Sequence, residues 1–200
     1  MRTPPPALLP LLRSRLQGDL LALLFLHPDQ EYSLSEAATA IGASVKAVQQ
    51  EATRLVTAGL ITDRRRGNLR LLRAASDSLL SRPLTDMLML TYGPLPVLSD
   101  ALAGVAKVEE AVIYGSWAAR YQGEPGPIPA DVDVLVVGTA SMDDLEDAAA
   151  KAQEQLRRPV NIRRVRPAAW HDPRPSDPFL ASIRSRPLVS LRRRGEERRP

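Results

Sequence analysis

The sequence predicts a two-domain α/β protein whose two halves follow different patterns. Apolar residues in the first half recur at helical spacing and are followed by two short strand-like runs, which predicts helices and then a β-hairpin. Strand-like and helical runs alternate in the second half, which predicts a small α/β domain with a mixed sheet. Gly93-Pro94 separates the two patterns and indicates a boundary.

Composition excludes several classes of function. There is no cysteine and there are only two histidines, so a disulfide scaffold, a cysteine-ligated zinc site, a thiol nucleophile and a histidine-rich metal site are not expected. No apolar run is long enough for a membrane span, and the N-terminus has no convincing signal peptide, so we expect a cytoplasmic protein. The net charge is +3 over residues 1–90, −8 over 91–156 and +9 over 157–200, which favours separate roles for separate parts.

Four helices and one hairpin are predicted in the first half. The elements are a proline-rich lead-in over 1–10, helices over 11–26, about 34–41, 45–58 and 77–91, and a hairpin over 60–72. Ser33 or Ser35 can cap the second helix and Ser44 the third, because a short hydroxyl accepts hydrogen bonds from first-turn amides. Gly67-Asn68 supplies the hairpin turn. The third helix is predicted to turn five residues inward, namely Val45, Val48, Ala52, Leu55 and Val56.

The second half is predicted to contain helices at 95–104, 116–121, 141–156 and 177–185, strands at 111–114, 132–137, 160–165 and 188–191, and a proline-rich loop over 166–178. Ser141 is the expected cap of the long helix. The domains are therefore placed at 1–76 and 94–191, with a linker helix at 77–93 and an arginine-rich, disordered tail at 192–200.

Three helices followed by a basic hairpin match the winged helix-turn-helix, in which an exposed helix face contacts base edges. Glutamine amides suit adenine, and lysine or arginine suits guanine or phosphate. Arginines on the hairpin would contact the DNA backbone or the minor groove. The candidate DNA-contacting residues are Ser44, Lys46, Gln49, Gln50, Arg54, Arg64, Arg65 and Arg66.

Residues 35–48 (SEAATAIGASVKAV) resemble bacterial regulators of the ArsR/MarR-like type, and the resemblance covers about residues 11–74. It implies a transcription regulator that binds double-stranded DNA as a homodimer. The helix over 77–91 would then lie in the dimer seam or be buried within one chain. The lack of cysteine excludes the metal-sensing form of such regulators, and a protein-interaction module with a solvated charged face is the alternative.

A second group of residues suits phosphate and metal chemistry. A predicted strand ends in Gly115-Ser116 at the start of a helix, where backbone N–H groups can approach a phosphate. Asp131 and Asp133 are two apart on the next strand, so their carboxylates share a face with Cα atoms roughly 6.6 Å apart, close enough for one divalent ion. Such a set suits magnesium-assisted nucleotidyl transfer. The alternative is a pair of solvated acids at a strand end.

Residues 115–120 (GSWAAR) and 131–138 (DVDVLVVG) together resemble the minimal nucleotidyltransferase family of the DNA polymerase β-like superfamily, over about residues 94–166. The resemblance implies Mg²⁺ and a nucleoside triphosphate as cofactors. Gly115, Ser116 and Arg120 would contact the nucleotide, and Asp131 and Asp133 would be catalytic metal ligands.

Two departures from the family pattern affect the expected chemistry. The loop between Ser116 and Asp131 is longer than usual, and Asn161 stands where a third acid is expected, with Arg163 and Arg164 beside it. An amide neither charges a metal site nor serves as a general base. This predicts a nucleotide pocket with lost or weakened transfer chemistry.

The sequence therefore predicts a DNA-binding transcription regulator whose second domain is either a sensor, for example of a nucleotide, or an oligomerisation module. One alternative is an active magnesium-dependent nucleotidyltransferase acting on a small molecule, RNA or protein. A further alternative is modification or binding of a partner protein in a toxin–antitoxin setting. Whether the chain is an enzyme stays open at this point.

Overall fold

The computed structural model describes residues 12–172 and 177–191. The chain divides into two compact units, Met1–Gly93 (the first unit) and Pro94–Pro200 (the second unit). The predicted α/β class is confirmed, because helices occur together with one antiparallel and one mixed sheet. The predicted lead-in at 1–10 and tail at 192–200 lie outside the described residues. No helix in the described ranges is long and apolar enough to cross a membrane.

The first unit contains four helices and three strands in its described part. They are α1 (Arg15–Phe25), β1 (Tyr32–Ser33), α2 (Leu34–Ile41), α3 (Val45–Thr57), β2 (Ile61–Arg66), β3 (Leu69–Ala74) and α4 (Ser81–Tyr92). The strands form an antiparallel sheet in the order β1-β3-β2. The predicted hairpin is confirmed, whereas β1 was not predicted because a two-residue strand has no measurable period.

Short polar side chains begin the helices of the first unit. Ser33, rather than Ser35, caps α2 in a capping box with Glu36, and Gly42 ends that helix in the left-handed conformation. The predicted cap of α3 is confirmed, since Ser44 Oγ accepts a hydrogen bond of 3.2 Å from the amide of Ala47.

The inward face of α3 differs from the prediction at its two ends. Val48, Ala52 and Leu55 are buried as predicted, but Val45 is 46% exposed and Val56 is only half-buried. Val45 is the first residue of the helix, and burial begins three residues later, at Val48. Glu51 is buried on the same inward face, which no apolar pattern could indicate.

Helix α4 packs against α1 within the first unit. A side chain at Gly18 of α1 would force Tyr92 to move, because a Cβ atom would lie 1.9 Å from the hydroxyl oxygen of Tyr92. The absence of a side chain at Gly18 therefore allows the two helices to approach closely. The predicted helix at 77–91 begins later than expected, at Ser81.

The second unit contains five helices and four strands in its described part. They are α5 (Pro94–Leu102), β4 (Val108–Tyr114), α6 (Gly115–Tyr121), β5 (Val132–Gly138), α7 (Met142–Leu156), β6 (Val160–Val165), α8 (Pro167–Trp170), α9 (Pro178–Arg184) and β7 (Val189–Ser190). The sheet order is β6-β5-β4-β7, with β5 and β6 parallel and the other pairs antiparallel.

Two predictions for the second unit were wrong in detail. Residues 166–178 are not all loop, because Pro167 begins the short helix α8, where proline suits the first turn. Ser141 stands at the N-terminal cap of α7, but its side chain makes no capping hydrogen bond.

The core of the second unit lies on both faces of the central strand β5. Val132 and the run 134–137 are fully buried. Leu135 and Val137 belong to a cluster with Trp170 of α8 and with Leu180 and Ile183 of α9. Asp133 is on the same face of β5 as these two residues, since side chains alternate along a strand. Its carboxylate therefore lies where the apolar cover of this face begins.

Candidate functional site

Strand register brings three polar side chains together at the beginning of β5. Asp133 lies opposite Tyr114 of β4 on one side and opposite Asn161 of β6 on the other. Asp131 immediately precedes the strand and belongs to the same alternating row as Asp133. Asp131 and Asn161 are exposed and Asp133 is half-buried, so the group is open to solvent.

The amide of Asn161 connects the two carboxylates. Its Nδ2 atom donates hydrogen bonds of 3.1 Å to Asp131 Oδ2 and 3.2 Å to Asp133 Oδ1. One neutral donor group thus contacts both acids that the sequence pattern placed at this site. The amide partly compensates the repulsion between the carboxylates without supplying a positive charge.

Gly115 brings the turn after β4 to the same place. Its φ of +70° is a left-handed conformation, and a Cβ atom there would lie 3.2 Å from Asp133 Oδ2. The backbone therefore runs close to the carboxylate with no side chain between them. This places the start of α6 beside the acidic pair, as the Gly-Ser turn of the sequence suggested.

Burial changes the acidity of the half-buried groups. It raises the pKa of Asp133 above its ordinary value; the hydrogen bond from Asn161 opposes that shift, and the nearby charge of Asp131 adds to it. Burial also raises the pKa of Tyr114, and the Asp133 carboxylate raises it further. Negative charge is thus already costly at this site, which favours a cationic or hydrogen-bond-donating partner.

One arginine of β6 lies on the same face of the sheet as Asp131 and Asp133. The sequence did not show whether it would be Arg163 or Arg164. Arg163, two residues after Asn161 on β6, has its guanidinium carbon 3.8 Å from the ring centre of Phe179. It also lies 3.5 Å from the carboxylate of Asp177. Arg164 has the opposite strand parity and donates to the backbone oxygen of Ala140. Arg163 is therefore the arginine that shares the face with the acidic pair.

A buried arginine holds the segment before Asp131. Arg158 is 7% exposed, donates to the backbone oxygen of Pro129 and lies 5.0 Å from the ring centre of Trp117. The amide of Val132 in turn donates to Pro159. Both contacts attach the start of β5 to the start of β6. Sequence reasoning missed Arg158 because a basic residue in a basic stretch usually lies on the surface.

Ser116 and Arg120 have different neighbours in the structure. Ser116 is exposed in the first turn of α6, next to Gly115. Arg120 donates to the backbone oxygen of Glu124 and lies beside Gly126. Its contacts are thus with the loop that follows α6, and none of the contacts found for it involves Asp131 or Asp133.

The acidic pair is an incomplete metal site by itself. Within residues 12–172 and 177–191, no group of three or more histidine, cysteine, aspartate or glutamate side chains could hold a metal ion. Mg²⁺ is commonly bound by one or two carboxylates when substrate phosphates and waters complete its shell. The donor set of Asp131 and Asp133 therefore fits a magnesium ion that arrives with a nucleotide better than a free one.

The outer face of α3 presents the polar side chains that the sequence indicated. Lys46, Gln49, Gln50 and Arg54 are all exposed. The hydroxyl of Ser44 is engaged in capping the helix. These four side chains therefore form one accessible polar surface on a rigid helix.

The three arginines of β2 differ in their partners. Arg64 is exposed but paired with Glu31: its Nε donates to Oε1 at 2.7 Å and its Nη2 donates to Oε2. These hydrogen bonds hold the pKa of Glu31 below its ordinary value. Arg65 and Arg66 are exposed near the tip of the hairpin. Two of the three predicted hairpin cations are therefore without this acidic partner.

Arg70 joins the hairpin to α3. Its Nη1 atom donates to Thr53 Oγ1 at 3.0 Å, and its Nε atom donates to the carboxylate of Asp63 on β2. Thr53 Oγ1 donates to the backbone oxygen of Gln49, one turn earlier in the helix. Sequence reasoning missed Arg70 because its partners are far apart in the chain. The three side chains together fix the position of the hairpin relative to the exposed face of α3.

Comparison with known protein families, with curated proteins and with solved structures finds no match for this chain.

Proposed function

We propose that the chain is a DNA-binding transcription regulator, with a winged helix-turn-helix as its first unit and a nucleotidyltransferase-like second unit. The observation that carries the proposal is the exposed face of α3, which lies beside an arginine-bearing hairpin fixed to it through Arg70. The element order α1, β1, α2, α3, β2, β3 supports the same assignment.

In this proposal α3 enters the major groove of double-stranded DNA. The amides of Gln49 and Gln50 pair with adenine edges, while Lys46 and Arg54 contact guanine or phosphate. Arg65 and Arg66 contact the DNA backbone or the minor groove from the hairpin. Glu31 competes with DNA for Arg64, because it engages the Nε and Nη2 donors of that guanidinium.

The second unit is proposed to bind a nucleotide and to transfer it slowly or not at all. The Gly115 turn beside Asp133 supports a phosphate position, and the amide at Asn161 argues against efficient transfer. Asp131 and Asp133 would hold Mg²⁺, which would neutralise triphosphate oxygens when bound. Gly115 and Ser116 would face the phosphates through their backbone N–H groups. This unit would then sense the nucleotide for the regulator.

We further propose a cytoplasmic homodimer, because regulators with this arrangement bind paired half-sites. Leu80, Met87 and Leu90 are large apolar side chains exposed on or beside α4, with 58%, 42% and 56% of their surface accessible. A dimer seam would remove such a patch from water. Sedimentation of the purified chain tests the state directly, and a monomer at micromolar concentration contradicts it.

The DNA proposal is tested by replacing three residues of α3 together, Gln49, Gln50 and Arg54, with alanine. A duplex selected by the wild-type protein from a random pool should lose its preference over non-specific DNA with this variant. The matched control replaces Lys151, Gln153 and Gln155, two amides and one cation exposed on α7. Unchanged selectivity of the α3 variant, or equal losses in both variants, would contradict the proposal.

The second candidate function is an active nucleotidyltransferase, favoured by Asp131 and Asp133 converging beside the Gly115 turn. Calorimetric titration with each nucleoside triphosphate, with and without Mg²⁺, followed by a pyrophosphate assay, separates the alternatives. Binding without pyrophosphate supports the sensor. Pyrophosphate release that is lost in Asp131→Asn supports the enzyme, and absence of binding contradicts both.

A further inference from the structure

The only acid of α3 is buried and bound by two arginines. Glu51 is 1% exposed. Its Oε2 atom accepts hydrogen bonds from Arg13 Nη2 and, at 3.1 Å, from Arg54 Nη1. Its Oε1 atom accepts one of 2.9 Å from Gln17 Nε2. A buried carboxylate needs such donors, and Glu51 has donors at both oxygens.

The two arginines are brought close together while remaining open to solvent. Both donate to the same oxygen of Glu51, yet the side chains of Arg13 and Arg54 are 54% and 56% exposed. Each guanidinium has five N–H donors, so several remain free of Glu51. Two positive charges face one negative charge, which leaves an excess positive charge at the surface beside α3.

Arg13 is held in place by its backbone as well as its side chain. Its amide donates to Gln17 Oε1 at 3.0 Å, and the same glutamine side chain donates to Glu51. Ser14 caps α1 through the amide of Gln17. Arg13, which precedes the N-cap of α1, is thereby tied to α3, so it approaches an anion from a fixed position.

The position of the pair favours a nucleic-acid phosphate as the anion. Arg54 lies four residues after Gln50, on the same exposed face of α3. A group bound between Arg54 and Arg13 would lie at the side of this face, where a DNA strand borders the groove that the helix occupies. Arginine forks suit the two free oxygens of a phosphodiester.

We propose that Arg13 and Arg54 form a clamp for one phosphate of the DNA backbone and that Glu51 is the residue that positions both. The inference rests on the proposed DNA-binding function and adds a contact residue outside α3 and the hairpin. Phosphate contacts of this kind set the register of a protein on its duplex. Arg13 and Arg54 contact the same phosphate, so their contributions are not independent.

The number of contacts between the protein and DNA phosphates can be measured from the salt dependence of binding. The full-length chain is titrated against a fluorescent mixed-sequence duplex of about two helical turns, or about 20 base pairs, over a range of KCl concentrations. The logarithm of the association constant K falls linearly with the logarithm of the salt concentration. Losing one phosphate contact reduces the magnitude of that negative slope by about 0.9. We expect Arg13→Gln with Arg54→Gln to lower it by about that amount together, not by twice as much. Arg15→Gln is the matched control, because Arg15 is exposed and pairs with Asp19 instead.

Glu51→Gln tests the positioning role, because positioning and net charge predict opposite effects of this substitution on DNA affinity. Removal of an acid near DNA would strengthen binding if only net charge mattered. We expect weaker binding and a lower slope, because the amide no longer holds two guanidinium groups together. Circular dichroism shows whether this variant folds; if it does not, the two arginine variants still test the clamp.

The outcomes separate the clamp from the function on which it rests. If wild-type protein does not bind the duplex, the proposed function fails. If it binds but Arg13→Gln causes no loss of affinity, and no further decrease in slope when added to Arg54→Gln, the clamp is wrong and DNA binding stands. The clamp is equally wrong if Arg15→Gln has the same effects. If Arg13→Gln instead loses binding to polyglutamate while its affinity for DNA is unchanged, the pair serves an acidic protein and the proposal is overturned.

Discussion

The side-chain amide of Asn161 lies 3.2 Å from the carboxylate of Asp133, on the neighbouring parallel strand. The same amide contacts Asp131. Asn161 therefore makes at both acids the kind of contact that a cation would otherwise make. The residue that weakens the case for transfer chemistry also keeps the acidic pair together.

Asn161→Asp should convert this arrangement into a metal site. Three carboxylates repel one another, so the melting temperature without metal should fall and should recover with Mg²⁺. One added charge at close range is worth more than 1 kcal/mol, so calorimetry should show Mg²⁺ affinity rising at least about tenfold. Asn161→Ala, which removes the amide without adding charge, is the control. Equal Mg²⁺ affinity in both variants would refute this prediction.

Asp133→Asn should stabilise the second unit at neutral pH. Burial raises the pKa of Asp133, so the folded state prefers the protonated acid. That preference contributes fully below the ordinary pKa of 3.8 and is lost as the pH rises through the raised value. The gain in melting temperature over wild type should therefore grow between about pH 4 and pH 7. Asp147→Asn, at an exposed position of α7, is the control, and equal behaviour of the two variants would contradict this prediction.

Glu31→Gln should strengthen DNA binding, in contrast to Glu51→Gln. Glu31 is a competing anion for Arg64, and its loss frees that guanidinium for phosphate. Exposed ion pairs contribute little, so the gain should be only about two- to fivefold at low salt. Fluorescence anisotropy with a duplex measures it. Asp29→Asn removes a nearby exposed charge, and an equal gain there would attribute the effect to net charge alone.

Tyr92→Phe should remove a pH dependence from the stability of the first unit. The Tyr92 hydroxyl is buried without a hydrogen-bond partner among the described residues, and burial raises the pKa of Tyr92 to about 12. The folded state thus disfavours the phenolate, and wild-type stability should fall as the pH rises from the ordinary value of 10 towards about 12. Urea unfolding should show a smaller decrease for the variant.

At neutral pH the same variant should be as stable as wild type or more stable, by up to about 1 kcal/mol, because an unsatisfied buried group is removed. Tyr32→Phe is the matched control, and it should lower the free energy of unfolding instead of leaving it unchanged or raising it. The Tyr32 hydroxyl donates to Gln30, so its loss should cost about 1 kcal/mol. Equal destabilisation by both substitutions would contradict the interpretation of Tyr92.

Features that depend on neighbouring residues were predictable from the sequence. The Ser44 cap, the Gly67-Asn68 turn and the buried strand around Leu135 each have a signal within a few residues. The grouping of Asp131 with Asp133 also follows from strand alternation. Such features need no knowledge of distant parts of the chain.

Features that depend on distant partners were not predictable. Glu51 is a charged residue by type, and its burial is understandable only once Arg13, 38 residues earlier, is placed against it. Arg158 likewise belongs to the interior because Trp117 and Pro129 surround it. The hydrogen bonds of Asn161 depend on the register of the parallel strands β5 and β6, which helix α7 separates in the chain.

The link from Arg70 to Thr53 and Asp63 has a consequence for the thermodynamics of association. Because α3 and the hairpin are already joined in the free protein, little conformational entropy remains to be lost when both meet a duplex. Breaking the link with Arg70→Ala would leave every proposed DNA contact in place and still make the entropy of binding less favourable. It would also let the hairpin adapt to grooves of different width, so that the protein would discriminate less between duplex shapes.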